Sequence, residues 1–581
     1  MSSRFSNTPQ KGRSLINSLL AVIESKPASD RFILRVLFFS IISGLVITAI
    51  LFNNSYLRTT PAPGGTLVEG IIGTPRFINP ALAVTRADQD MTALIYAGLM
   101  KINEDGELVP DIAESVTVSD DGTTYNFILR KDVRFHDDTP LTARDVAFTI
   151  GLIQNNDLKS PLRGNWVDVN VEEINEYELN IVLEEPYTPF IENFTLGILP
   201  RHIWSELPIE LVPFSQKNTE PIGSGPFYIN RSHQNDDGLI DSYSLKKFTQ
   251  NGPVILSAIE VKFYQNEEAL EAAFAKKEIT STVYLPVDLT KTITADYDYA
   301  VIEEPLPRVF AVFFNQNRAP ALRDTTVRLA LGAAIDRPAL VEAALDGYGV
   351  PIVTPVPATN PEVDSDSQTS PEESASSSRE RAVNILVKGG WIKNTAGAWE
   401  KRIDGEVRIL AVTLKTSNTQ VFEETASFLA RSWRELGIEV QIEQFEQSDL
   451  LQAVIRPRDF EALLFGLDMN RAVDLYPFWH SSQREDPGLN IAQYANIEVD
   501  RLLETARTAS TTEQKAAAVL ATTNIMGREA PALFLYVPNF VYVIDSRVTT
   551  APMNKLSRPS ERFMNIESWH MNTDKLWPIF Q

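Results

Sequence analysis

Cysteine is absent from all 581 residues. Disulfides and thiolate metal sites are therefore excluded, and so is a lipid-modified cysteine as a membrane tether. Histidine is scarce: His136, His202, His233, His480 and His570 are the full set, and none is spaced as a helical metal pair. No Walker loop and no G-x-S-x-G elbow is present. Positive charge is also short, with 53 Lys and Arg against 76 Asp and Glu, a net charge of -23. A surface that acidic repels phosphate backbones, so nucleic acid is excluded as a partner. Carboxylates are plentiful, but an acid/base pair needs a proximity that sequence does not show. The expectation is a binding protein with no cofactor and no metal, not an enzyme.

What is present begins with Val36–Phe52, "VLFFSIISGLVITAILF", 17 residues without a charge. As a helix the run spans about 25 Å, close to the hydrocarbon thickness of a bilayer. Residues 1–35 carry Arg4, Lys11, Arg13, Lys26, Arg31 and Arg35 against only Glu24 and Asp30. Positive-inside logic places this tail (1–35) in the cytoplasm, the anchor (36–52) in the membrane and the body outside. A cleaved signal peptide is the competing reading, but "NNSYLRTT" offers no small-x-small cleavage site. Residues 53–64, ending in "TTPAPG", read as a linker.

The body is too long for one core, so more than one domain is expected. Residues 88–100 predict a helix with Met91, Leu94, Ile95 and Leu99 on one side. Glu104-Asp105-Gly106 and Asp120-Asp121-Gly122 predict tight hairpin turns. "LTARDVAFTIGLI" opens a helix with Thr142 as N-cap and Asp145 as its capping-box partner. "PIGSGPFYI" (221–229) predicts a sharp crossover at Gly223 and Gly225. "RVFAVFF" reads as a buried strand followed by a loop and two helices. Residues 358–380 are rich in Ser, Glu, Asp and Pro and predict a disordered surface insertion. Further on, "VRILAVTLKT", "QVFEETASFLARSWRELG" and "IEVQIEQF" form a strand-helix-strand run, the mark of an α/β lobe.

Several segments, in order, resemble family 5 of the bacterial solute-binding proteins, which serves peptide- and nickel-type ABC importers. They are "FINPAL", "IYAGLMKINEDGELVPDIAESVTVSDDGTTYNFILRKDVRFHDDTPLTARDVAFT", "PIGSGPFYI", "FFNQNRAPALRDTTVRLALGAAIDRPALV", "LVKGGW", "LARSWRELGIEVQI", "GLNIAQYANIEVDRLLETA" and "APALFLYVP". The resemblance implies a two-lobed periplasmic-binding-protein-like α/β fold that closes by a hinge. It would use 65–100, 220–305 and 535–581 for the first lobe, 101–219 for a small inserted β-rich domain, and 306–534 for the second lobe. The implied partners are a peptide or other small solute and the ABC permease subunits in the membrane, served by a monomeric body. A non-transporting docking or signalling protein on the same fold is the other function this resemblance allows.

"FGLDMNRAVDLYPFWHSSQ" (465–483) matches the second-lobe segment that lines the cleft in that family. Peptide-binding members carry there an aspartate that pairs with the ligand's α-amino group, since a buried ammonium needs such a partner. Here that position falls at Asn470 or Arg471, and Asp468 and Asp474 flank it. The departure puts amino-terminus recognition in question, and Arg471 facing the cleft would favour an acidic ligand. Tyr476 and Trp479 are aromatic candidates from the same stretch. Arg86, Asp88 and Gln89 are candidates from the first lobe, and Asn315 lies where the chain enters the second.

Overall fold

The structure, a computed structural model, describes residues 27–283, 285, 290, 298–357, 375–469, 471, 473–509 and 511–576. It divides into two compact units, residues 1–62 with 572–581 and residues 63–571.

The smaller unit holds a 29-residue helix, Ala28–Tyr56, and a two-stranded antiparallel sheet of Arg58–Ala62 with Asn572–Leu576. Ala28–Ala49 is long and apolar enough to cross a membrane, and Phe32, Phe39 and Leu45 are each about two-thirds exposed. Two boundaries are corrected here. The expected linker 53–64 continues the helix to Tyr56 and then forms a strand. The chain end assigned to the first lobe instead contributes the partner strand. The proline in "TTPAPG" misled the reading, because Pro61 sits on an edge strand, where a missing N–H is tolerated.

The larger unit is a two-lobed α/β body. In the second lobe the strand Arg308–Phe314 is apolar on both faces. Phe310, Val312 and Phe314 point into one core, and Val309, Ala311 and Phe313 into another. Period-two alternation does this whenever helices cover both sides of a sheet. Its neighbours are Ala462–Asp468 on one edge and the first half of Ala532–Asp545 on the other. Ala411–Ser417 and Glu439–Phe445 extend the sheet in parallel. The first lobe is built on Thr66–Ile72, paired with Ala258–Tyr264, and continues through Ile240–Lys247 to Phe227–Gln234. A meander of Ala113–Val118, Thr124–Leu129, Glu178–Val182 and Asn170–Asn175, with the helix Ala143–Gln154, packs into the same core.

Two crossings join the lobes. The 14-residue strand Ala532–Asp545 pairs with Arg308–Phe314 in its first half and with Tyr299–Pro305 in its second. The chain also passes through Leu306-Pro307, where Leu306 N donates to Pro538 O at 3.1 Å. Two crossings side by side, each carrying a proline, make a hinge.

Three expectations change in detail. The helix predicted over 88–100 runs Arg86–Ile95, because Thr85 and Asp88 form its capping box and the chain turns extended at Tyr96. Gly223 and Gly225 serve close approach rather than unusual dihedrals: a Cβ on Gly223 would stand 2.1 Å from Ile95 O. Of the insertion 358–380, residues 375–380 begin the helix Ala375–Lys388, and 358–374 lie outside the described residues.

Candidate functional site

A cavity of about 1470 Å³ opens between the lobes. The helix Arg86–Ile95 presents Arg86, Gln89, Thr92 and Ala93 to it, followed by Tyr96. The second lobe contributes Asp468, Met469, Arg471, Pro477 and Arg507. Aromatic faces come from Trp166, Tyr187, Phe190, Phe248 and Phe563.

Behind the wall, Tyr96 is 5% exposed and Ser224 2%, and the Tyr96 hydroxyl, Ser224 Oγ and Thr92 Oγ1 are buried atoms that make no hydrogen bond among the described residues. Burial also pushes the Tyr96 phenol up, so it stays protonated and can donate.

Several cations on this wall are already engaged. Lys101 pairs with Glu567, Arg130 Nη2 with Asp132 at 2.9 Å, and Arg308 with Asp468. Arg471 Nη2 donates to Glu561 Oε2 at 2.6 Å, and its Nε donates to Lys555 O. This ion pair crosses from the second lobe to the first. A second crossing lies nearby: the Tyr187 hydroxyl donates to Asp474 at 3.2 Å, and Arg507 donates to the same carboxylate at 2.8 Å while covering the Tyr187 ring. Burial opposes the charge on Lys101, but Glu567 and Asp111 more than offset it and hold the ammonium above its usual range. Asp111 lies on the same wall. Its carboxylate accepts no hydrogen bond among the described residues, and burial pushes it up to about 6, against the opposing pull of Lys101 and Arg130.

Residues 107–486 match the family model of the bacterial extracellular solute-binding proteins, family 5 Middle. The chain belongs to this family. It is 28% identical over 517 residues to the oligopeptide-binding protein AppA of Bacillus subtilis, an alignment covering 88% of this chain and 92% of that one. The solved structure of that protein in complex with a nonapeptide matches with a TM-score of 0.67 at 27% identity, covering 88% of this chain and all of the other. The ABC transporter substrate-binding protein CtaP of Listeria monocytogenes gives a TM-score of 0.71 at 24% identity, covering 87% and 99%, a likeness of fold.

In this family 5 protein the sequence-derived candidates divide. Arg86, Gln89, Asp468 and Arg471 meet at the cavity. Asp88 does not: it is fully buried and accepts from Arg76 N at 2.7 Å, Phe77 N at 2.8 Å and Thr85. Asn315 is 1% exposed and ties Arg458 O to Asn317 N. Trp479 is fully buried against Phe313 and Phe534. Tyr476 stacks on His480 and carries the Arg507 guanidinium 4.0 Å from its ring centre. Asp474 is spent on Arg507 and Tyr187, and Asn470 lies outside the described residues. The expected acidic ligand loses its support, since Glu561 already occupies Arg471. Sequence reasoning passed over Tyr96, Lys101 and Asp111 although all three lie within the quoted family segment "IYAGLMKINEDGELVPDIAES".

Proposed function

We propose that this protein is the membrane-anchored receptor of an ABC importer, which takes peptides or a similar solute between its lobes and delivers them to the permease. The observation that carries the reading is the cavity at the hinge. At about 1470 Å³ it exceeds the pockets that suit single drug-sized ligands, and an extended oligomer fits that space. The names of its relatives support the same reading, since AppA of Bacillus subtilis is called an oligopeptide-binding protein.

The apolar run 36–52, within the helix Ala28–Tyr56, serves as a single-pass anchor with residues 1–35 in the cytoplasm and the body, a monomer, outside. The basic residues ahead of the apolar run support that orientation. No specific feature favours a docking or signalling role without transport. The test is a melting experiment on the full chain in detergent with a mixed peptide library. A ligand that binds only the folded state at a hundredfold excess over its Kd adds about 2.7 kcal/mol of stability. An unshifted melting temperature with every peptide pool contradicts the proposal. Alkaline washing should leave the chain in the membrane pellet, and release into the supernatant would contradict the anchor.

A further inference from the structure

Another cavity, of about 490 Å³, lies in the second lobe and shares no lining residue with the cleft. It sits where the helices Thr325–Ala333, Ala375–Lys388 and Thr512–Glu529 meet the start of the strand Ala532–Asp545. The turn into the helix Arg337–Leu345 completes the wall. The charged residues that line it are Asp336, Arg337, Arg381 and Arg528. Three cations against one carboxylate make this wall positive, in a chain whose net charge is -23.

The one carboxylate is already used. Asp336 Oδ1 accepts from Ala339 N at 3.0 Å and caps the helix that Arg337 opens. Arg337 is half-buried and forms no ion pair among the described residues. Its Nε donates to Phe534 O at 2.8 Å and its Nη1 to Gly332 O at 3.4 Å, both neutral acceptors. Its Nη2 makes no hydrogen bond among the described residues. Burial pulls this guanidinium down to about 10, and no anion offsets the pull. Arg528 stands exposed in the last turn of its helix, with no hydrogen bond or ion pair among the described residues. A desolvated guanidinium without an anion is costly, and an oxyanion in the cavity completes it.

Size and lining select the anion. The volume suits a small organic molecule rather than an oligomer. A phosphate monoester carries about -1.5 to -2 charges at pH 7, which matches the excess of two cations on the wall. Its oxygens fit the planar fork of a guanidinium. Leu329, Met526 and Leu533 give the cavity an apolar side for the organic part. We propose that this cavity binds a small phosphate ester, with Arg337 and Arg528 as its anchors. The assignment stands apart from the cleft and does not depend on what the cleft receives.

The experiment is isothermal titration of the full chain in detergent with glycerol 3-phosphate, and with glycerol as the probe that lacks the phosphate. The ester is expected to bind with a Kd of about 0.1 mM, and glycerol to give no binding heat. Arg528→Ala should weaken the ester about tenfold, since one charge-assisted contact is lost. Arg337→Gln should abolish binding while its melting temperature shows it folded. Arg528 is exposed, so its variant tests the site even where Arg337→Gln fails to fold. A wild type that does not bind the ester at about 10 mM overturns the assignment. So does ester binding that survives Arg528→Ala unchanged, or glycerol binding as tight as that of the ester.

Discussion

Arg562 has no exposed side-chain surface and is held by Asp90 at 2.8 Å and Glu69 at 2.9 Å. The Tyr542 hydroxyl donates to the same Glu69 at 2.8 Å. Burial pushes the Glu69 carboxyl up, and only the arginine and its hydrogen bonds keep the charge tolerable. Arg562→Met would strand two carboxylates in the first-lobe core. The expected loss is about 3–5 kcal/mol, read as a lower urea midpoint. The sign of the pH effect follows from the raised Glu69. With its folded pKa above the unfolded one, the carboxyl favours the folded state when protonated, so the variant should recover stability as pH falls below neutral. A variant within 1 kcal/mol of the wild type would contradict the account. None of this was legible in the sequence, because Arg562 is 493 residues from Glu69 and 472 from Asp90, and all three look like ordinary surface charges. Asp88 shows the converse: it caps its helix and is fully buried, yet its sequence signature is the one a cleft-lining carboxylate at that position would have.

Among elements, the strands and helices of the second lobe were readable because their periodicity was strong. "RVFAVFF" is apolar without alternation, which fits a strand covered on both faces. Boundaries suffered where a local rule met a tertiary contact, as at Tyr96, where the helix stops so that the loop bearing Gly225 can donate to Ile95 O at 2.8 Å. The most consequential element contact is Arg471 with Glu561, which draws the lobes together without any ligand. Arg471→Ala should shift the free protein toward an open arrangement, seen as a larger radius of gyration in solution scattering. Ligand affinity should fall about tenfold, because closure is no longer assisted by a bond of about 1.4 kcal/mol. An unchanged radius and affinity would show that the bridge does not bias closure.

At the scale of the molecule, the two lobes and their hinge follow from the order of the family segments, and the structure shows a cleft where they predict one. Its chemistry was less legible. The sequence pointed to Asp468, Arg471 and Asp474 of the second lobe, and the structure pairs each of them with another side chain. Pairing decides which charges remain for a ligand, and pairing is a property of the folded chain. The central claim is that the cleft receives peptides. Native mass spectrometry of the full chain, purified in detergent directly from its host membrane, tests it most directly. The account predicts a family of bound masses separated by amino-acid residue masses. A protein that flies without bound mass, and captures nothing from a peptide library, would contradict it.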